Sequence, residues 1–335
     1  MKSKDAGNQP NIVVIGGGTG SFTLLNGLKN YTDNITALVN MSDQGGSSGV
    51  LRDELGVLPP GDVRQCLVAL SNTKKVRDLF TYRFDEGALD GHSFGNLFLS
   101  AVEKMTDSFE QAVEMASDVL RITGRVMPIT LTKTKLIAES DKSGRVVGQD
   151  AIGVANFAGN KPSLHLEPTA MITNEARSAI EEADIVVIAP GNLYASLAPA
   201  LIVSGVGEAL KNTNAKVVHI TNLVTKPGQT DDFTVGEYAA EIERFCGQGD
   251  LLDYVIYNTD EPTKQMREKY VRDGEYMLEF DLDVLESAHY RAIGCPLIDK
   301  SPVVHDARDK IAKRRSLIRH DSDSVSKEIM KIYFS

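Results

Sequence analysis

An α/β fold on a mostly parallel central sheet is predicted by three observations. Short apolar bursts alternate with helical stretches along most of the chain. The first burst, NIVVIG (Asn11 to Gly16), runs straight into a glycine turn, IGGGTGS, Ile15 to Ser21. Where a strand, a helix and a second strand follow in turn, the crossover is normally right-handed and the strands parallel.

Taken in order, NIVVIG reads as a strand, Ser21 to Lys29 as a helix and ITALVN (Ile35 to Asn40) as a second strand. A Gly/Ser loop, Gln44 to Gly49, and the turn PPGD at Pro59 to Asp62 come next. Helical patterns are expected around 63–71, 74–81, 95–106 and 108–120. Near Arg125 the chain becomes β-rich: VMPITL, KLIAES, the turn DKSG (Asp141 to Gly144) and RVVGQ. A turn flanked by such runs predicts a hairpin, set as an antiparallel insertion beside the main sheet. Parallel character returns with DIVVIAP and a long helix around 196–210. AKVVHITN with a helix near 234–245 follows, then DYVIYN with a helix near 262–272. Beyond about 281 the pattern is irregular, and the last forty residues are highly charged with two expected helices. Residues 1–10 therefore read as a flexible N-terminus. Residues 11–280 form one domain with a β-rich insertion at about 125–168, and residues 281–335 form a helical C-terminal appendage.

The chain has 335 residues, 42% of them hydrophobic, enough for a large core. With 36 basic against 46 acidic residues the net charge is -10. That excludes a general nucleic-acid surface, so an anionic ligand must be held by local geometry. No tryptophan is present to stack bases. The three cysteines, Cys66, Cys246 and Cys295, show no redox or metal spacing, which suits a reducing compartment. The first ten residues are polar, without the apolar segment of a secretion signal. No apolar run approaches the ~18 residues of a spanning helix. The expectation is a cytoplasmic protein with no membrane span and no nucleic-acid partner.

In open parallel sheets, ligands bind beyond the carboxyl ends of the strands. Four strand-end loops there carry an asparagine: Asn40, Asn192, Asn222 and Asn258. An amide offers a donor and an acceptor to a base edge or a sugar hydroxyl; asparagine is also simply common in turns. The glycine turn, Gly16 to Gly20, lets a ligand reach the backbone, and the helix following it favours an anion. It is not a standard dinucleotide fingerprint, since Ser21 takes the third glycine position and Asn40 stands where an acid would hold a ribose. Nor is it a Walker loop. A phosphate is the expected neighbour of Gly17, Gly18, Thr19, Gly20 and Ser21.

Asp43 and Asp62 can each ligate Mg²⁺ or cap a turn or helix. Arg52 and Arg64 are candidate phosphate clamps or ordinary ion-pair partners. His92, in HSFGN before a helix, is a candidate proton donor or a structural residue. No zinc spacing and no nucleophile elbow is present. The tail KIAKRRSLIRHDSDS gathers Lys310, Lys313, Arg314, Arg315 and Arg319 ahead of an acidic serine segment. It reads as a solvated helix face, or as a protein-partner or basophilic kinase site at Ser316.

Five separated motifs carry a resemblance. IGGGTGSF, DQGGSSGVLRDELGVLPPGDVR, GHSFGN, APGNLYAS and TNLVTKPGQTDDF occur in this order over roughly residues 11–280. They resemble the bacterial gluconeogenesis factor family (YvcK-like proteins), which is related to the CofD phospholactate transferases of deazaflavin coenzyme synthesis. The resemblance implies a Rossmann-like three-layer α/β/α fold, a homodimer or higher oligomer, and a cytoplasmic regulator of carbon metabolism, cell-wall supply and cell shape. It implies a UDP-sugar ligand, typically UDP-N-acetylglucosamine. The alternative it carries is an Mg²⁺-dependent transfer of a phospholactyl-type group from a nucleoside diphosphate donor to a deazaflavin alcohol, with Asp43 and Asp62 catalytic.

By position, Gly17 to Ser21 would face the diphosphate. Asn40, Asn192, Leu193, Tyr194, Ser196, Asn222, Thr225 and Lys226 would frame base and sugar. Gln44, Gly45, Gly46, Ser47, Arg64, His92 and Asn96 would line the acceptor or second-ligand region, with Asp43 and Asp62 as Mg²⁺ ligands. Two departures stand out. The family's paired aspartates are here Asp43-Gln44, with Val50 in place of an arginine, and its Gln-Pro-Gly-Glu-Thr is Lys226-Pro227-Gly228-Gln229-Thr230. The loss of acids weakens the transferase reading more than nucleotide binding.

Overall fold

A computed structural model describes residues 9–42, 46–157, 160–300 and 319–335. Ten strands are defined among them: β1 (Ile12–Gly16), β2 (Ile35–Val39), β3 (Arg125–Pro128), β4 (Lys135–Ser140), β5 (Gly144–Val147), β6 (Ser163–Glu167), β7 (Ile185–Ile188), β8 (Lys216–Ile220), β9 (Tyr254–Asn258) and β10 (Arg291–Cys295). Seven form one sheet in the order β10-β9-β8-β7-β1-β2-β3, with every pairing parallel. The chain starts in the middle, winds outward to β3, and returns to wind outward again from β7. That reversal between β1 and β7 is the topological switch point of a Rossmann-like sheet.

Both faces of this sheet are covered, as parallel sheets require. Val13, Ile15, Val186 and Ile188 pack into one layer, and Ile12, Val14, Ile185 and Val187 into the other. The β-branched runs thus alternate between two cores, the reason they read as continuous apolar bursts. No helix among the described residues is long and apolar enough to cross a membrane.

The DKSG turn makes the expected hairpin: β4 and β5 are antiparallel, and β6 pairs on the other side of β4. The run VMPITL joins the main sheet instead. Its β3 lies parallel to β2, with Ala37 opposite Val126. The segment after 281 supplies β10 to the opposite edge of the main sheet, beside β9. It ends in the helix Ser322–Phe334, which packs on the helix Gly18–Leu28. Gly27 makes this approach possible, because a Cβ there would overlap the Ser322 carbonyl. Tyr31 donates to Asp323 Oδ1 at 2.6 Å across the same contact.

Three local expectations change. The Gly/Ser loop becomes a helix from Gly46 (Gly46–Leu55), although glycine and serine are weak helix formers. Hydrogen bonds to Ser47 and Ser48 from the neighbouring helix compensate. The first crossover helix starts at Gly18, three residues early, drawing the glycines into its first turn. The long helix expected around 196–210 is broken into Ala198–Leu201 and Val206–Asn212. Gly205 between them has φ +94, and a Cβ there would press on Arg177 and Ile172.

Candidate functional site

The glycine turn leaves β1 at the switch point. Gly16 has φ +151 and Gly18 φ +65, backbone that side chains resist. Gly17 is the N-cap of the helix Gly18–Leu28, with no side-chain cap and no acid in the first turn. Its first N–H groups therefore form the kind of end that favours an anion. Two of the glycines serve contacts inside the protein. A Cβ on Gly17 would overlap the Asp62 carboxylate, and one on Gly20 would overlap the Pro190 carbonyl in the loop after β7. The turn is thus clamped between the helix Gly61–Leu70 and the neighbouring strand-end loop. Thr19 is exposed, whereas Ser21 is buried with an Oγ that has no hydrogen-bond partner among the described residues.

Asn40 follows β2, next along the sheet. Its Oδ1 accepts from the backbone N–H (3.1 Å) and hydroxyl (3.0 Å) of Ser42, forming a local turn. Its Nδ2 is buried and unpaired among the described residues. Two unsatisfied polar atoms, Ser21 Oγ and Asn40 Nδ2, thus lie at the carboxyl ends of adjacent strands. Buried polar groups are normally paired, by protein, water or ligand.

A second cluster lies beside it. Asp62 and Arg64 sit in the first turns of Gly61–Leu70 and are 7% and 8% exposed. Gln65 donates to Asp62 Oδ1 at 3.4 Å, and Arg64 Nε donates to Asn96 Oδ1 at 2.9 Å. Asn96 Nδ2 reaches Ser47 Oγ (3.4 Å) and Ser48 Oγ (3.5 Å), and Ser47 Oγ shares a hydrogen bond with His92 Nδ1 at 3.0 Å. Gly95 leaves room for Arg64, since a Cβ there would stand 2.7 Å from its Cδ. Ser93 accepts from Asn96 N and caps the helix Phe94–Thr106. Three segments distant in sequence therefore meet, and Ser47, Arg64, His92 and Asn96 are joined by hydrogen bonds. Gly46 opens its helix; Asp43, Gln44 and Gly45 lie outside the described residues.

The loops after β7, β8 and β9 use their asparagines differently. Asn192 Oδ1 accepts from Ala195 N at 3.0 Å and caps a π-helical turn, Leu193–Leu197, in which Leu197 N reaches Asn192 O. Asn222 grips the Gly191 backbone at both ends, accepting from its N–H (2.9 Å) and donating to its carbonyl (2.8 Å). Asn258 donates to Asp260 O and accepts from Asp260 N and Leu297 N. Tyr194 and Leu193 are core residues. Tyr194 stacks edge-on with Phe157 and Phe245, and burial raises its phenol pKa. Thr225 pairs with Tyr276 through N–H to O (2.8 Å) and Tyr276 N to Oγ1 (3.1 Å). Lys226 N donates to Thr230 Oγ1. Ser196 is half-buried.

Gln229 explains its own identity. Its amide donates to Ile152 O (2.8 Å) and Ala155 O (3.2 Å), tying this loop to the insertion. An ionised glutamate would present oxygen to those carbonyls instead. Tyr238, on the helix Val235–Cys246, was not marked by any motif. Its hydroxyl joins Asn222 and Thr230, and burial pushes its pKa up to about 12, so the proton stays on. Only its place on an amphipathic helix signalled it, and that signal means core.

Among the described residues no three His, Cys, Asp or Glu side chains are grouped to hold a metal. The candidate tail residues Lys310, Lys313, Arg314, Arg315 and Ser316 lie outside the described residues, and Arg319 lies at the edge of the segment that follows them.

A glycine turn at the switch point of a seven-stranded parallel sheet defines a Rossmann-like α/β protein. The family described as "2-phospho-L-lactate transferase CofD" matches residues 12–298, and the chain belongs to that family. The Gluconeogenesis factor of Bacillus subtilis is 36% identical over 96% of this chain and 97% of its own length. That of Listeria innocua is 35% identical over 96% and 95%. A crystal structure of a Bacillus halodurans protein, titled a member of the UPF0052 family, superposes with a TM-score of 0.87 at 34% identity, covering 96% of this chain and 99% of that one.

Proposed function

We propose that the crevice beside the glycine turn binds a nucleotide sugar, a UDP-sugar such as UDP-N-acetylglucosamine. In this reading the protein is a cytoplasmic, homo-oligomeric regulator of carbon metabolism, cell-wall supply and cell shape. The observation that carries it is the conjunction at one sheet edge: a helix start without a side-chain cap, and the unpaired Ser21 Oγ and Asn40 Nδ2. The first favours a phosphate; the second and third offer hydroxyl and amide to sugar or base oxygens. The names of the similar gluconeogenesis factors support a regulatory role. Titration calorimetry with UDP-N-acetylglucosamine tests it. A Cβ on Gly18 would meet Asp62 Oδ1 at an ordinary 3.9 Å, so Gly18→Val acts chiefly through backbone strain at φ +65. Binding is expected in the wild type and at least tenfold weaker in the variant, with a thermal melt verifying folding. A wild type that binds no nucleotide sugar removes the reading.

Asp62 favours a second reading. Its carboxylate touches Gly17, where a diphosphate would meet like charge. Mg²⁺ fits that position when the ligand supplies phosphate oxygens, because it binds through one or two carboxylates plus phosphates and water. Such an ion would neutralise charge on a leaving diphosphate. Asp62 would hold it. The corresponding activity is phospholactyl-type transfer from a nucleoside diphosphate donor to a deazaflavin alcohol. A product assay with a guanosine donor distinguishes it: Mg²⁺-dependent product that disappears in Asp62→Asn supports transfer, and none with wild type leaves the regulator.

A further inference from the structure

At the β3 edge of the main sheet, a groove of about 350 Å³ opens. Its floor is apolar, with Val113 and Val126 beneath and Met127 and Pro128 along the strand. One wall is the helix Phe109–Leu120, which turns Glu110, Glu114 and Asp118 toward the groove; Glu175, in the first turn of Asn174–Glu181, stands across from them. All four carboxylates are exposed, and none makes an ion pair or side-chain hydrogen bond among the described residues. The cation that also lines the groove, Arg125, donates to Thr36 Oγ1 at 3.5 Å.

This arrangement works against the helix that carries it. Positions 110, 114 and 118 follow one another at four-residue spacing, where like charges repel. Asp118 also lies in the last turn, at the negative end of the helix dipole. Met115 and Val119, on the neighbouring stripe, are 40% and 44% exposed. β3 is at the sheet margin, and its Pro128 lacks an N–H, which blunts strand addition there. The features that remain are an apolar floor and four carboxylates facing one cation, Arg125.

We infer that this groove docks a basic, amphipathic segment of a partner protein, with apolar side chains on Val113 and Val126 and Lys or Arg against Glu110, Glu114, Asp118 and Glu175. The groove is lined by none of the residues Gly17 to Ser21, Asn40 or Asp62, and the inference does not depend on what binds there. Charge complementarity selects the occupant, and salt weakens its binding.

A fluorescein-labelled peptide of alternating leucine and lysine, titrated into the full chain and read by anisotropy, is the test. Saturable binding is expected, weakening as salt rises, with a leucine–glutamate peptide inert. The variant Glu110→Lys/Glu114→Lys/Asp118→Lys is expected to lose at least tenfold in affinity. The milder Glu110→Gln/Glu114→Gln/Asp118→Asn provides the same comparison should charge reversal impair folding. A control, Asp78→Lys/Glu86→Lys/Glu286→Lys, makes the same change in net charge elsewhere and is expected to stay within twofold of wild type. Equal loss in the control would assign the binding to the protein's overall negative charge and overturn the proposal. So would no binding at all. A change of oligomeric state in the groove variant, seen by sedimentation, would make the groove a contact between copies of this chain and overturn it equally.

Discussion

The two wings of the sheet treat the same residue in opposite ways. On the β7–β9 wing the side chains engage backbone groups: Asn222 holds Gly191 of the neighbouring loop at both ends, Asn258 bonds its own turn and Leu297 N, and Asn192 caps its own turn. On the β1–β2 wing, Asn40 uses its oxygen for a turn, and its amide nitrogen is buried and unpaired among the described residues. One wing is braced; the other retains donors. A residue type at a strand end thus says little about ligand contact until its hydrogen bonds are accounted for.

The largest effect expected from this contrast concerns the join between the wings. Gly20→Val would drive a side chain into the Pro190 carbonyl. Overpacking of this kind costs about 3 kcal/mol, and urea denaturation should show the midpoint fall accordingly. If stability held while nucleotide affinity alone fell, Gly20 would belong to the ligand surface.

A pH effect comes next. His219 on β8 is fully buried, with Nδ1 on Ile188 O at 3.2 Å and Nε2 unpaired among the described residues. Burial chiefly, with His320 nearby, lowers its pKa from 6.5 to about 4. The unfolded chain then binds a proton in this window that the native state refuses, so stability falls on acidification from pH 6.5 toward 4. The loss is about 2 kcal/mol between pH 7 and pH 5. His219→Gln should make that part of the stability profile shallower, the rest falling to His320, whose pKa burial also lowers to about 4; an unchanged slope would assign the acid sensitivity elsewhere.

Asn222→Ala removes both bonds to Gly191 in a half-buried setting, at a cost of about 1–2 kcal/mol. Asn40→Ala is expected to be the mildest for stability. It loses the Ser42 contacts but also removes an unsatisfied donor, for a net change of roughly 0.5 kcal/mol or less. Its effect should appear in calorimetry with UDP-N-acetylglucosamine, as a drop of about tenfold. Reversal of these two results, with Asn40 stabilising and Asn222 serving affinity, would break the distinction between the wings.

Much of this architecture was legible in the amino-acid order. NIVVIG and DIVVIAP became the two central strands, and DKSG became the β4–β5 turn. Periodicity and turn chemistry are local, so a local reading finds them. The convergence of Ser47, Arg64, His92 and Asn96 was expected through the motifs that carry them. Their mutual hydrogen bonds were not, nor was the Asp62–Gly17 contact. The helix from Gly46 was missed because its propensity is poor and its support comes from Asn96, about fifty residues away. The break near Gly205 was missed because Arg177 and Ile172 fill the space there.

The sequence alone determined a parallel sheet with glycines and asparagines at its carboxyl edge, since strand period and backbone permissiveness are properties of neighbours along the chain. The tertiary structure decided which glycine accommodates a carboxylate, which accommodates a carbonyl, and which asparagine keeps a free donor. Each depends on a partner brought across tens of residues by packing, and a hydrogen bond exists only where the fold sets both ends within reach.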